Sequence, residues 1–80
     1  MTSSRFETEV VPGAIYRHYK GQLYRVIGVG KHSESLDDIV LYEALYDNPL
    51  GRLWCRPLSM WGELVNSNGE KVHRFEFLYK

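Results

Sequence analysis

The feature that most constrains this chain is a two-residue rhythm running through short segments between turn-forming residues. Within each of residues 14–19, 23–29, 39–46, 53–56 and 72–78 the charged side chains fall at positions of a single parity, with large apolar or ring-bearing side chains at the other. In an extended strand successive side chains point to opposite faces, so such alternation predicts half-buried β-strands. One choice of phase per segment turns Arg17, Arg25, Glu43, Arg56, Arg74 and Glu76 outward together. The same choice turns Tyr16, His18, Tyr24, Val26, Tyr42, Ala44, Tyr46, Leu53, Cys55, Phe75 and Phe77 inward. The outward set then also holds Ile15, Tyr19, Leu23, Ile27, Val29, Leu41, Leu45 and Trp54. That is too apolar for a fully wet surface, and a helix, the N-terminal segment or a second chain is expected to cover part of it.

The punctuation agrees with the rhythm. Pro12-Gly13 opens the domain, Lys20-Gly21 makes a tight turn, and Asp47-Asn48-Pro49-Leu50-Gly51 reads as a second turn. Residues 31–38 form a polar loop. Within residues 57–65, Leu58, Trp61 and Leu64 or Val65 recur at helical spacing behind a proline suited to a first turn. Gly62 costs about 1 kcal/mol relative to alanine, which keeps that helix short. Asn66-Ser67-Asn68-Gly69 is expected to end it. Residues 1–11 read as a tail and residues 12–80 as one domain, since 80 residues leave no room for two cores. About five antiparallel strands with one short helix before the last predict a mainly β fold, a small SH3-like barrel.

Composition narrows the function classes. Ten basic and ten acidic residues cancel, which disfavours a chain built chiefly to grip nucleic acid or an anionic membrane. No apolar stretch approaches the roughly 18 residues of a membrane span. The segment Met1-Thr2-Ser3-Ser4-Arg5-Phe6 lacks a signal-peptide core, and a single cysteine forms no internal disulfide, so a cytoplasmic protein is expected.

Several motifs recur in order: Tyr16-Arg17-His18-Tyr19-Lys20-Gly21, Tyr24 with Val26, and His32-Ser33-Glu34. They continue with Val40-Leu41-Tyr42-Glu43-Ala44-Leu45-Tyr46, Trp54 with Arg56-Pro57-Leu58, and Arg74-Phe75. In these the chain resembles the bacterial domain-of-unknown-function family numbered 1653 across residues 13–75. Two positions depart from the family's habit: Trp61 stands where phenylalanine is usual, and His73 where proline often precedes Arg-Phe. The resemblance implies a compact β-rich domain and supplies no activity.

The charges fall in blocks. Arg17, Lys20, Arg25 and Lys31 precede Glu34, Asp37, Asp38, Glu43 and Asp47. Pairing of the second and third strands would neutralise the blocks against each other. Alternatively Arg17, Lys20 and Arg25, joined by Arg56 and Arg74, form a surface whose planar guanidinium groups suit phosphate or carboxylate. Tyr19 and Trp54 on that face would add stacking for nucleotides.

His32-Ser33-Glu34 cannot form a catalytic triad by itself, because neighbours in extended chain diverge; Ser33 and Glu34 are expected to order the loop through backbone amides. His18 on the inner face is expected to bond a tyrosine or a carbonyl, or else to line a shallow pocket of tyrosine hydroxyls. Cys55, His18, His32 and His73 show no metal-ligand spacing, so no metal and no cofactor is expected.

The leading expectation is a non-catalytic module that binds an anionic ligand, nucleotide or nucleic acid first. Its candidate residues are His32, Ser33, Glu34, Trp54, Arg56 and Arg74 beside the 31–38 loop, together with His18 and Tyr42. The alternatives are a protein-interaction or homodimerisation module using the apolar strip, and a small enzyme with His18 or His32 as general base.

Overall fold

The computed structural model describes residues 10–80. The element order is β1 (Ile15–His18), β2 (Leu23–Lys31), β3 (Asp38–Ala44), β4 (Leu53–Pro57), α1 (Leu58–Trp61), β5 (Leu64–Ser67), β6 (Glu70–His73) and β7 (Phe75–Tyr79). Five strands form one antiparallel sheet in the order β4-β3-β2-β1-β7, and β5 pairs with β6 alone. The fold is mainly β, as the alternation predicts. The sheet does not close, however: β4 and β7 are its two edges, and no ladder joins them. Curvature nevertheless carries the Arg56 guanidinium of β4 over the Phe75 ring of β7, at 5.6 Å.

The core lies on the concave face. Ala14, Tyr16, Val26, Val40, Tyr42, Trp61 and Phe75 form one buried cluster. Trp61 is its plug. The indole stacks on Phe75 at 3.8 Å with the planes 5° apart, and meets Tyr16 and Tyr42 edge-on. Such ring pairs contribute beyond the area they bury. The single helical turn therefore covers the concave face. The convex strip, where a cover was expected, keeps Ile27, Leu41 and Leu53 exposed.

Four further expectations need correction. The helix predicted over 57–65 lasts one turn, because the chain leaves helical geometry at Gly62 and residues 64–67 pair with β6. Asn68 and Gly69 both take positive φ, 52° and 85°, the conformation of a tight two-residue hairpin. The expected last strand over 72–78 is divided at Arg74 between β6 and β7. In β4 the phase is inverted: Trp54 sits opposite buried Tyr42 and Arg56 opposite buried Val40, while Leu53 and Cys55 point to solvent. Finally, a register shift between Val26 and Gly28 sets Val29 opposite Val40, so the second half of β2 changes phase.

Phe77 keeps its predicted face, edge-on to Tyr16, yet remains half exposed at the open edge. The predicted tail falls largely on residues 1–9, outside the described residues. Its last two members, Val10 and Val11, are partly buried against the core cluster.

Candidate functional site

The charge blocks neutralise as strand pairing requires. Arg25 pairs with Glu43 at 3.3 Å and Lys31 with Asp38 at 2.8 Å, both between β2 and β3. Arg17 reaches across to Glu76 of β7 at 3.0 Å, and Arg52 also approaches Glu43. The continuous convex basic surface therefore does not form. Arg74 turns in, holds Glu63 through an ion pair, and is fixed further by its backbone N–H donating to the Glu63 carbonyl.

Arg56 is different. Its backbone position in β4 directs the half-buried side chain onto the concave face against Phe75. No carboxylate among the described residues pairs with it, and its Nε is buried without a hydrogen-bond partner. A buried Nε left in this state costs free energy and is an exception to the rule that buried polar atoms are satisfied. Arg74 Nε and Trp61 Nε1 share that state; unlike Arg74, Arg56 has no carboxylate beside it among the described residues.

Around Arg56 stand rings with polar tips. His18 meets Phe75 edge-on at 5.1 Å and Tyr24 at 6.4 Å. Burial lowers its pKa below the usual 6.5, and the Arg56, Arg74 and Lys20 charges lower it further, so the imidazole is neutral at pH 7. No tyrosine or carbonyl among the described residues is hydrogen-bonded to it as expected. Nδ1 instead accepts the backbone N–H of Lys20 at 3.2 Å, which places the ring proton on Nε2. The tyrosines serve one another: the Tyr24 and Tyr46 hydroxyls lie 2.7 Å apart, and Asn48 Nδ2 donates to Tyr46 at 3.0 Å. Burial and the Tyr46 bond raise the Tyr24 pKa, with Arg56 opposing them. Tyr42 packs edge-on against Tyr24 and Phe75. Trp54 is half-buried on the same face, its Nε1 donating to the Gly51 carbonyl at 3.0 Å.

Thus His18, Tyr42, Trp54, Arg56 and Arg74 share the concave face, and Tyr24 and Tyr46 join them. Alternation had already put both tyrosines inward; their link to Asn48 lies in a turn and left no periodic signal. The loop residues stand apart. His32 Nδ1 accepts the backbone N–H groups of Glu34 and Ser35, at 3.1 and 3.3 Å, and the Ser35 hydroxyl accepts that of Asp37. The imidazole and Ser35 therefore order this loop, in the role expected of Ser33 and Glu34. The depression beside it is lined by Asp37, Asp38, Pro57, Leu58 and Ser59, a composition that repels anions. Among the described residues no group of three or more histidine, cysteine or acidic side chains is placed to hold a metal ion. No described helix is long and apolar enough to cross a membrane.

The architecture defines a class: a small, mainly β domain whose open antiparallel sheet curls around a cluster of aromatic rings. Within that class the chain belongs to the DUF1653 family, described as a protein of unknown function, whose pattern matches residues 14–77. A solved structure agrees. The crystal structure of a DUF1653 protein from Bordetella bronchiseptica is 30% identical, with a TM-score of 0.82 over 91% of this chain and 92% of that one. No curated protein matches the chain.

Proposed function

We propose that this domain is a non-catalytic cytoplasmic binding module that recognises an anionic group, a nucleotide or nucleic-acid phosphate first, on its concave face. The open sheet is read as a relative of the SH3-like barrel whose unclosed mouth admits the ligand. The observation that carries this reading is Arg56: half-buried, free of any carboxylate among the described residues, with Nε unpartnered. A phosphate oxygen would satisfy that atom, and charge-assisted bonds to arginine are among the stronger ones available. His18 would donate from Nε2, while Glu63 already engages Arg74 and leaves it a positioning role. Support for a non-catalytic role comes from the two histidines considered as bases, His18 and His32: both Nδ1 atoms accept backbone amides, and no carboxylate among the described residues orients either ring.

Titration of the labelled protein with nucleoside phosphates, followed by NMR, tests this. Shifts at Arg56, His18 and Tyr24 that weaken with added salt are expected. Unmoved resonances at all three would refute the reading.

A second reading rests on the convex strip, where Ile27 is 49%, Leu41 42% and Leu53 63% exposed. These side chains surround Gly28 and Cys55 on neighbouring strands and would suit a homodimer or protein partner. Sedimentation at high concentration tests the dimer form, which a strict monomer would exclude.

A further inference from the structure

Besides the ring cluster, the molecule has an open groove of about 590 Å³ at the far end of β1, lined by residues of the β1–β2 turn, β5, β6 and β7. Clefts of this size hold whole organic groups, and a lone inorganic anion would leave most of it empty. The polar lining is complementary to a nucleotide. Arg17 and Glu76 are tied to each other, but Lys20 has no carboxylate partner among the described residues; its ammonium stands 5.9 Å from the Tyr19 ring. His73 places Nδ1 3.3 Å from the Gly62 carbonyl, a contact in which Nδ1 donates. Ser67 adds a hydroxyl and Val72 an apolar contact.

His18 joins the two places. It lines the groove and also packs on Phe75, whose ring carries Arg56. Glu43, Glu63, Glu76 and Asp38 are engaged by Arg17, Arg25, Lys31, Arg52 and Arg74, so the net charge of zero does not mean that every cation is paired. Among the described residues pairing leaves Lys20, Arg56, Lys71 and Lys80 without a carboxylate, and of these Lys20 and Arg56 lie close enough to His18 for their charges to act on it.

Resting on the anion-binding reading above, we infer that the groove receives a second nucleotide, so that the ligand is a short single strand whose phosphates meet both Lys20 and Arg56. A single strand fits because its phosphates are spaced along a flexible backbone and its bases are free to stack on exposed rings. Linked contacts then add, and length should raise affinity.

The test compares a labelled hexanucleotide with a nucleoside monophosphate on the full chain, by fluorescence anisotropy and competition. The hexanucleotide should bind about tenfold or more tightly. Lys20→Ala should abolish that gain, lower the salt slope by about 1, and leave monophosphate affinity within about twofold. Equal affinities for the two ligands, with Arg56 still shifting, would overturn the single-strand inference and leave the anion site standing. A tenfold gain that survives Lys20→Ala would overturn the groove assignment. Failure of both ligands to bind would overturn the anion reading and this inference together.

Discussion

Replacing Arg56 by methionine should leave the fold as stable as before or make it more stable. The side chain is half-buried, its Nε has no partner, and no ion pair among the described residues is lost on removing it. An unsatisfied buried polar group costs about 1–3 kcal/mol, and methionine removes that cost while keeping most of the apolar stem. Against this stands the lost attraction to the Phe75 ring, 5.6 Å away, worth about 0.5–1 kcal/mol. The balance falls at about 0–1 kcal/mol of stabilisation, because the partial exposure of the site favours the lower end of the first range. For a domain of this size that is a rise in Tm of at most roughly 8 °C. Urea denaturation followed by tryptophan fluorescence measures it, with an unchanged m value showing that only stability moved. Anion binding should be lost in the same variant, the pattern expected where a chain retains an unfavourable group for function. Destabilisation by more than about 1 kcal/mol would refute the argument, since Arg56 would then be a structural residue with partners the geometry does not reveal.

Other expectations follow from the same contacts. Trp61→Ala removes the plug between Phe75, Tyr16 and Tyr42 and should cost about 3–5 kcal/mol, whereas Trp61→Phe, which keeps a stacked ring, should cost clearly less in the same denaturation assay. His18 has its pKa lowered by burial and by three nearby cations, so the unfolded chain binds the proton more readily. Stability should therefore fall as pH drops from 7 through 6.5 towards the folded-state value and change no further on that account below it, and His18→Gln should flatten this slope. Tyr46→Phe deletes the hydroxyl between Tyr24 and Asn48; it should cost about 1 kcal/mol and let Tyr24 ionise at lower pH, read by ultraviolet tyrosinate absorbance.

The loop motif shows how far a short sequence pattern can be trusted. His32-Ser33-Glu34 looks like chemistry, yet the imidazole spends Nδ1 on two backbone amides and holds a turn in which Leu36 has a φ of 66°. Local hydrogen bonding to the backbone is the ordinary use of such residues. The Asn68-Gly69 pair carried the opposite lesson. It is the strongest short hairpin signal in the chain, and the helical spacing of Leu58, Trp61 and Leu64 obscured it.

Alternation alone determined that Tyr16, Val26, Tyr42, Ala44 and Phe75 face a common core, because within one strand parity is a property of the backbone. It also determined that the basic residues of β2 meet the acids of β3, since consecutive antiparallel strands bring them opposite each other. Only tertiary structure decided the phase of β4. Leu53-Trp54-Cys55-Arg56 carries apolar side chains at both parities, so the sequence offers two nearly equivalent faces. The choice depends on what lies across the sheet: Tyr42 and Trp61 leave room for the Trp54 indole, and the open edge between β4 and β7 lets a guanidinium turn inward with its head near the mouth. The candidate site exists because of that choice, and long-range curvature, which no local pattern encodes, made it.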